Sequence, residues 1–140
     1  MRLHHVGVSV ADLDASLAWY EKVFGFRRGY SFEEPGRGLR GAFALGADGV
    51  RIEMLERDDS VPGSGETDPF RASGVHGYHH ICLEVDDLDA TYAQCVSLGA
   101  ADIWEPHVSP NPNMRVGYVA DLDGNFIELL ELTGDAGDLG

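Results

Sequence analysis

The chain has 140 residues and a mass of 15.2 kDa, enough for about one ordinary domain with a real core. Hydrophobic residues make up 44%, charged residues 24%, and 18 residues are glycine, a balance that excludes collagen, coiled coil and wholesale disorder. Asp and Glu outnumber Lys and Arg by 24 to 10 for a formal charge of −14, which repels phosphate backbones and anionic membrane surfaces, so neither nucleic acid nor membrane is an expected partner.

The chain opens with Val6, Val8 and Val10 alternating with His5, Gly7 and Ser9, the period-2 pattern of a strand with one apolar face. Asp12 or Asp14 caps the helix that follows, Leu13, Leu17, Tyr20 and Phe24 recur at helical spacing, and Gly25 stops it. Strands are expected at 26–32, 39–45 and 50–56. Residues 57–77, with Pro62, Gly63, Gly65, Pro69 and Gly74, form a connector long enough to cover a site or pack on a partner. A strand at 78–85, a helix at 87–98 closed by Gly99, and strands at 101–107, 115–120 and 126–132 follow, before a frayed tail at 133–140. Cys82 and Cys95 form no CxxC pair, and Met1-Arg2-Leu3-His4-His5 carries no apolar leader, so a reducing cytoplasm is the expected compartment.

The order β-α-β-β-β occurs twice because the chain repeats itself. At an offset of 75 residues, 3–15 lies over 78–90 with seven of 13 pairs identical, where composition alone gives roughly one. At the same offset, 48–56 lies over 123–131 with six of nine identical. Two blocks that share an offset with no gap mark a duplicated unit. The expected organisation is therefore a module at 1–56, the connector at 57–77, a second module at 78–132 and the tail, within one compact α+β domain.

Strand parity then singles out four residues. Val6 and Val8 face the helix, so His5 points to the opposite face, and Ile81 and Leu83 place His80 likewise. Ile52 and Met54, with Ile127 and Leu129, are the helix-facing sets of the last strands, which leaves Glu53 and Glu128 on the other face. Two sheets related by a pseudo-twofold would bring two imidazoles and two carboxylates together. That set suits a divalent cation, and two carboxylates on one enclosed face need a positive charge between them. Arg51 shares the parity of Glu53, and Phe126 that of Glu128, so both line the same face. Arg115 and Tyr118 flank the loop at 109–113, a candidate lid, and complete the expected substrate contacts.

Leu3-His4-His5-Val6-Gly7-Val8, Asp12-Leu13, Trp19-Tyr20 and Phe24-Gly25-Phe26 in the first half carry a family resemblance. So do His79-His80-Ile81, Asp87-Leu88 and Asp121-Leu122-Asp123-Gly124-Asn125-Phe126-Ile127-Glu128-Leu129 in the second. Over nearly its whole length the chain resembles the vicinal oxygen chelate superfamily, which contains glyoxalase I, methylmalonyl-CoA epimerase, extradiol dioxygenases and the fosfomycin and bleomycin resistance proteins. The resemblance implies tandem βαβββ modules whose curved mixed sheets pair to enclose a metal-binding cleft. Its metal positions match His5, Glu53, His80 and Glu128. It implies one divalent ion (Zn, Ni, Co, Mn or Fe), a small-molecule substrate and a homodimer.

Within the superfamily, isomerases and epimerases keep a carboxylate or amide at the Glu53 position. Extradiol dioxygenases typically use three ligands, which match His5, His80 and Glu128. Residues 76–87 resemble methylmalonyl-CoA epimerase, 121–125 have the glyoxalase-like ending, and Ser9 stands where glyoxalase I commonly has an Arg. The implied activity is a metal-dependent isomerase, epimerase or lyase of the glyoxalase type, with Glu128 and then Glu53 as the base removing a proton beside a carbonyl. The alternatives are a ring-cleaving dioxygenase and a ligand-sequestering resistance protein.

Overall fold

A computed structural model describes residues 1–111 and 113–134, the side chain of Asp48 excepted. Pro112 of the candidate lid, and 135–140 of the expected tail, lie outside the described residues. The chain divides into two compact units, Met1–Gly63 and Ser64–Gly140.

The first unit runs β1 (Val6–Ser9), α1 (Leu13–Phe24), β2 (Arg27–Glu34), β3 (Leu39–Leu45) and β4 (Arg51–Arg57). Its sheet has the order β1-β4-β3-β2. β1 runs parallel to β4 while β2, β3 and β4 pair antiparallel, so the sheet is mixed and open. Asp12 caps α1 by accepting from the Ala15 N–H, and Gly25 ends it at φ 70°, a left-handed conformation that costs glycine little. The helix lays Leu13, Leu17, Tyr20 and Val23 against Ala42, Ala44, Ile52 and Met54 of the sheet, all buried.

The second unit repeats the plan with an addition. Its elements are α2 (Pro69–Ala72), β5 (His80–Glu84), α3 (Leu88–Ser97), β6 (Ala101–Val108), β7 (Met114–Ala120) and β8 (Phe126–Leu132), with sheet order β5-β8-β7-β6. β5 is parallel to β8, and β6, β7 and β8 are antiparallel. Asp87 caps α3 as Asp12 caps α1, and Leu88, Tyr92 and Cys95 pack on Val119, Ile127 and Leu129. The two βαβββ units are those read from the repeat, with most strand ends within one or two residues of expectation.

The connector contains a short helix that the sequence reading does not include. Its Asp68-Pro69 pair starts α2, with the Asp68 carboxylate accepting from the Phe70 and Arg71 N–H groups and Pro69 in the first turn, where its missing N–H costs nothing. Pro69 is buried, and Ala72 packs against Tyr118, Ala120 and Phe126. The segment thus lies on the face of its own sheet opposite α3. β5 begins at His80, where its pairing with Phe126 of β8 starts, instead of at 78; the His79 ring reaches the Pro69 carbonyl of α2. Among the described residues no helix is long and apolar enough to cross a membrane.

An ion network recurs in both units at the same offset of 75. In the first, Arg40 on β3 bonds Glu56 on β4 (Nη2–Oε2 2.7 Å, Nε–Oε1 3.1 Å) and Asp14 in the first turn of α1 (3.3 Å), while Glu56 also accepts the Leu13 N–H at 2.7 Å. In the second, Arg115 on β7 bonds Asp89 on α3 (2.7 and 2.9 Å) and Glu131 on β8 (3.0 Å). Each network clamps a helix start to the middle of its sheet. Hydrogen bonds from Arg28, Arg40 and Arg115 hold Asp14, Glu56 and Asp89, respectively, below their ordinary values of 3.8, 4.5 and 3.8. A carboxylate depressed in the folded state stabilises it above the unfolded value and stops doing so as pH falls through the folded one. The melting temperature is therefore expected to be flat from neutrality to about pH 5 and to fall below pH 4.5. Arg40→Met should flatten that acid limb in thermal scans, and an unchanged limb would show that the clamp contributes nothing.

Candidate metal centre

Each unit brings one imidazole and one carboxylate together on the face away from its long helix. His5 stands one residue before β1 and Glu53 lies in β4; His5 Nε2 is 3.4 Å from Glu53 Oε2. His80 opens β5 and Glu128 lies in β8, with Nε2 3.0 Å from Oε2. The parallel pairing is the cause. Gly7 is in register with Glu53 and Cys82 with Glu128, so each His sits two residues diagonally behind its Glu on one face. The carboxylates are sheltered but reachable, with side-chain exposures of 22% for Glu53 and 16% for Glu128. Among the described residues no group of three or more His, Cys, Asp or Glu gathers as a complete ligand cage. Each unit therefore presents one His–Glu pair, two potential donors.

The two His–Glu pairs differ in what borders the carboxylate. Tyr118 is directly across from Glu128 on β7, and Cys82 directly across on β5. Burial first, and then the charge of Glu128, raises the Tyr118 hydroxyl. The Cys82 residue is exposed overall, but crowding around its sulfur, followed by the charge of Glu128, pushes the thiol up to about 12. Both groups thus keep their hydrogens and can donate toward Glu128. In the first unit the corresponding partners across from Glu53 are Phe43 and Gly7, which offer no side-chain donor. The Phe43 ring stands edge-on to His5 at 5.4 Å, as Tyr118 does to His80 at 5.4 Å.

Phe126 is buried beside Tyr118 on the His80 face, with its ring 5.6 Å from that of His79. Arg51 is exposed and its Nη1 lies 3.4 Å from the His4 carbonyl. Arg115 departs from the expected substrate contact. It projects to the opposite face, where Asp89 and Glu131 engage it, because residues 115 and 118 of one strand have opposite parity. Pairing Asp14, Arg40 and Glu56 with Asp89, Arg115 and Glu131 across the repeat was the signal for this helix-side role.

Two βαβββ units, each presenting a His and a Glu on the face away from its long helix, define the glyoxalase type of fold. The chain belongs to the Glyoxalase/Bleomycin resistance protein/Dioxygenase superfamily, whose family model matches residues 2–129. It is 33% identical over 132 residues to an ethylmalonyl-CoA/methylmalonyl-CoA epimerase of Cereibacter sphaeroides, covering 91% of this chain and 96% of that one. Among solved structures it shares the fold of glyoxalase I from Zea mays (TM-score 0.74, 19% identity, 94% of this chain and 47% of the maize chain). It also shares the fold of a fosfomycin resistance protein from Listeria monocytogenes solved with Mn(II) and sulfate (TM-score 0.64, 22% identity, 93% and 91% coverage).

Proposed function

We propose that the chain is a metal-dependent isomerase, epimerase or lyase that moves a proton beside the carbonyl of a small substrate. The observation that carries this reading is the His–Glu pair repeated in both units, His5 with Glu53 and His80 with Glu128. Neutral imidazole nitrogen and carboxylate oxygen are a donor set that Zn, Ni, Co, Mn and Fe all accept. Two such half-sites make a four-ligand set for one divalent ion, drawn from one chain or from two copies. The relatives support the reading at the level of class: one is named an epimerase, and one was solved with Mn(II). The full pair in the first unit favours it over the three-ligand pattern of a ring-cleaving dioxygenase.

When bound, the ion supplies Lewis acidity that stabilises negative charge developing on the substrate carbonyl oxygen. The protein's part is to hold and move the proton. A glutamate Oε accepts it from the carbon beside the carbonyl and returns it to that carbon or a neighbour, so the net reaction relocates a hydrogen without oxidant or reductant. The neighbours of the two carboxylates rank them. Glu128, bordered by the Tyr118 hydroxyl and the Cys82 thiol, is suited to stay in place as a ligand. Glu53, against Phe43 and Gly7, has no cross-strand side-chain donor beside it and is the freer to swing to a substrate. Phe126 and Tyr118 form the wall beside His80, and Arg51 is the cation nearest the first half-site by strand position.

Elemental analysis after dialysis against each of the five ions tests the metal. One ion per chain is expected, and no retention of any of them overturns the reading. Deuterium incorporation from solvent beside the carbonyl, across a panel of acyl thioesters and 2-oxo compounds, then identifies the substrate class.

A further inference from the structure

The arrangement behind His80 determines which of its nitrogens is bare. His79 Nε2 is 2.7 Å from the Pro69 carbonyl oxygen. A carbonyl only accepts, so His79 Nε2 carries a hydrogen and donates it. A neutral imidazole has one N–H, which leaves His79 Nδ1 as an acceptor. That atom is 2.6 Å from His80 Nδ1, so the hydrogen between them belongs to His80. The His80 Nε2 lone pair then faces Glu128 Oε2 at 3.0 Å, two acceptors that a cation can bridge.

The anchor is built into the fold. The Pro69 carbonyl belongs to α2, whose start is capped by Asp68 and whose Ala72 packs on Tyr118, Ala120 and Phe126. The first unit has no equivalent. His4 Nδ1 is 2.8 Å from His5 Nδ1, but His4 Nε2 has no hydrogen-bond partner among the described residues, and nothing there dictates which ring donates.

We propose that His79 is a positioning residue: with the Pro69 carbonyl it locks His80 as the Nδ1–H form, so that Nε2 is presented to a divalent cation. The inference rests on the metal-dependent reading above and gives the connector a task, since α2 holds the far end of the relay. Hydrogen bonds of this kind orient metal-bound histidines, and losing one typically lowers metal affinity by about 10–100-fold.

Zn2+ affinity, measured by competition with a chromophoric chelator, tests it in the full chain. His79→Phe keeps a ring but removes the acceptor, and a loss of about 10–100-fold is expected. His79→Asn places its Oδ1 where Nδ1 stood and should restore most of the affinity, which a purely structural role of the ring would not produce. Long-range 1H–15N spectra of the zinc-free wild-type protein supply a readout independent of loading, with a hydrogen expected on His80 Nδ1. Wild-type affinity in a folded His79→Phe variant, or a bare His80 Nδ1 in the spectrum, overturns the proposal. Should His79→Phe fail to fold, the spectrum and His79→Asn decide. A wild-type chain that takes up no metal defeats the functional reading, while the spectrum still decides the relay.

Discussion

Glutamine in place of Glu53 is expected to lower the rate of solvent deuterium exchange into substrate by about 10²–10⁴-fold while the protein keeps its metal. The amide preserves the shape of the side chain and an oxygen for coordination, but it cannot accept a proton. Glu128→Gln is expected to do the reverse in emphasis, weakening metal retention first, because that carboxylate sits between the Tyr118 hydroxyl and the Cys82 thiol, which suits it to the ligand role proposed above. Metal content and exchange rate measured on the same preparations separate the two roles. Exchange by Glu53→Gln at the wild-type rate would remove Glu53 as the base and return the assignment to Glu128. The contrast comes from two cross-strand positions, Gly7 against Cys82 and Phe43 against Tyr118, at which the copies have diverged while the His–Glu pair has not.

The largest expected effect on stability is at Leu129. Its side chain is fully buried beneath α3, on the opposite face of β8 from Glu128. The residue directly across on β7 is Gly117, which has no side chain to move into a vacated space. Leu129→Ala should therefore collapse poorly and cost about 2–5 kcal/mol, toward the upper end of that range. Urea unfolding is the measurement, with the midpoint lowered and the slope against denaturant unchanged. A cost below about 1 kcal/mol would mean that the surrounding strands close the cavity.

Much of this was legible in the residues. The offset of 75 predicted both βαβββ units, and the two Asp caps follow from Asp12-Leu13-Asp14 and Asp87-Leu88-Asp89. Parity placed each His beside its Glu because side chains alternate strictly along a strand. Arg115 was legible too, since it lies three positions before Tyr118 on one strand and the two cannot share a face. α2 was harder. Its Asp68-Pro69 start is a recognisable signal, but four residues have no helical stability of their own and depend on Ala72 packing against the sheet. The relay through His79 ends on a backbone carbonyl, which no side-chain pattern reveals.

The parallel pairing of first and last strands has a consequence for biosynthesis. In each unit the imidazole and its carboxylate are 48 positions apart, and they meet only when β4 docks on β1 or β8 on β5. A chain still emerging from the ribosome has no half-site until the closing strand is out, and the second cannot exist before Glu128 has been added. Under the proposed reading, metal capture would therefore follow the most non-local strand pairing in each unit instead of guiding it.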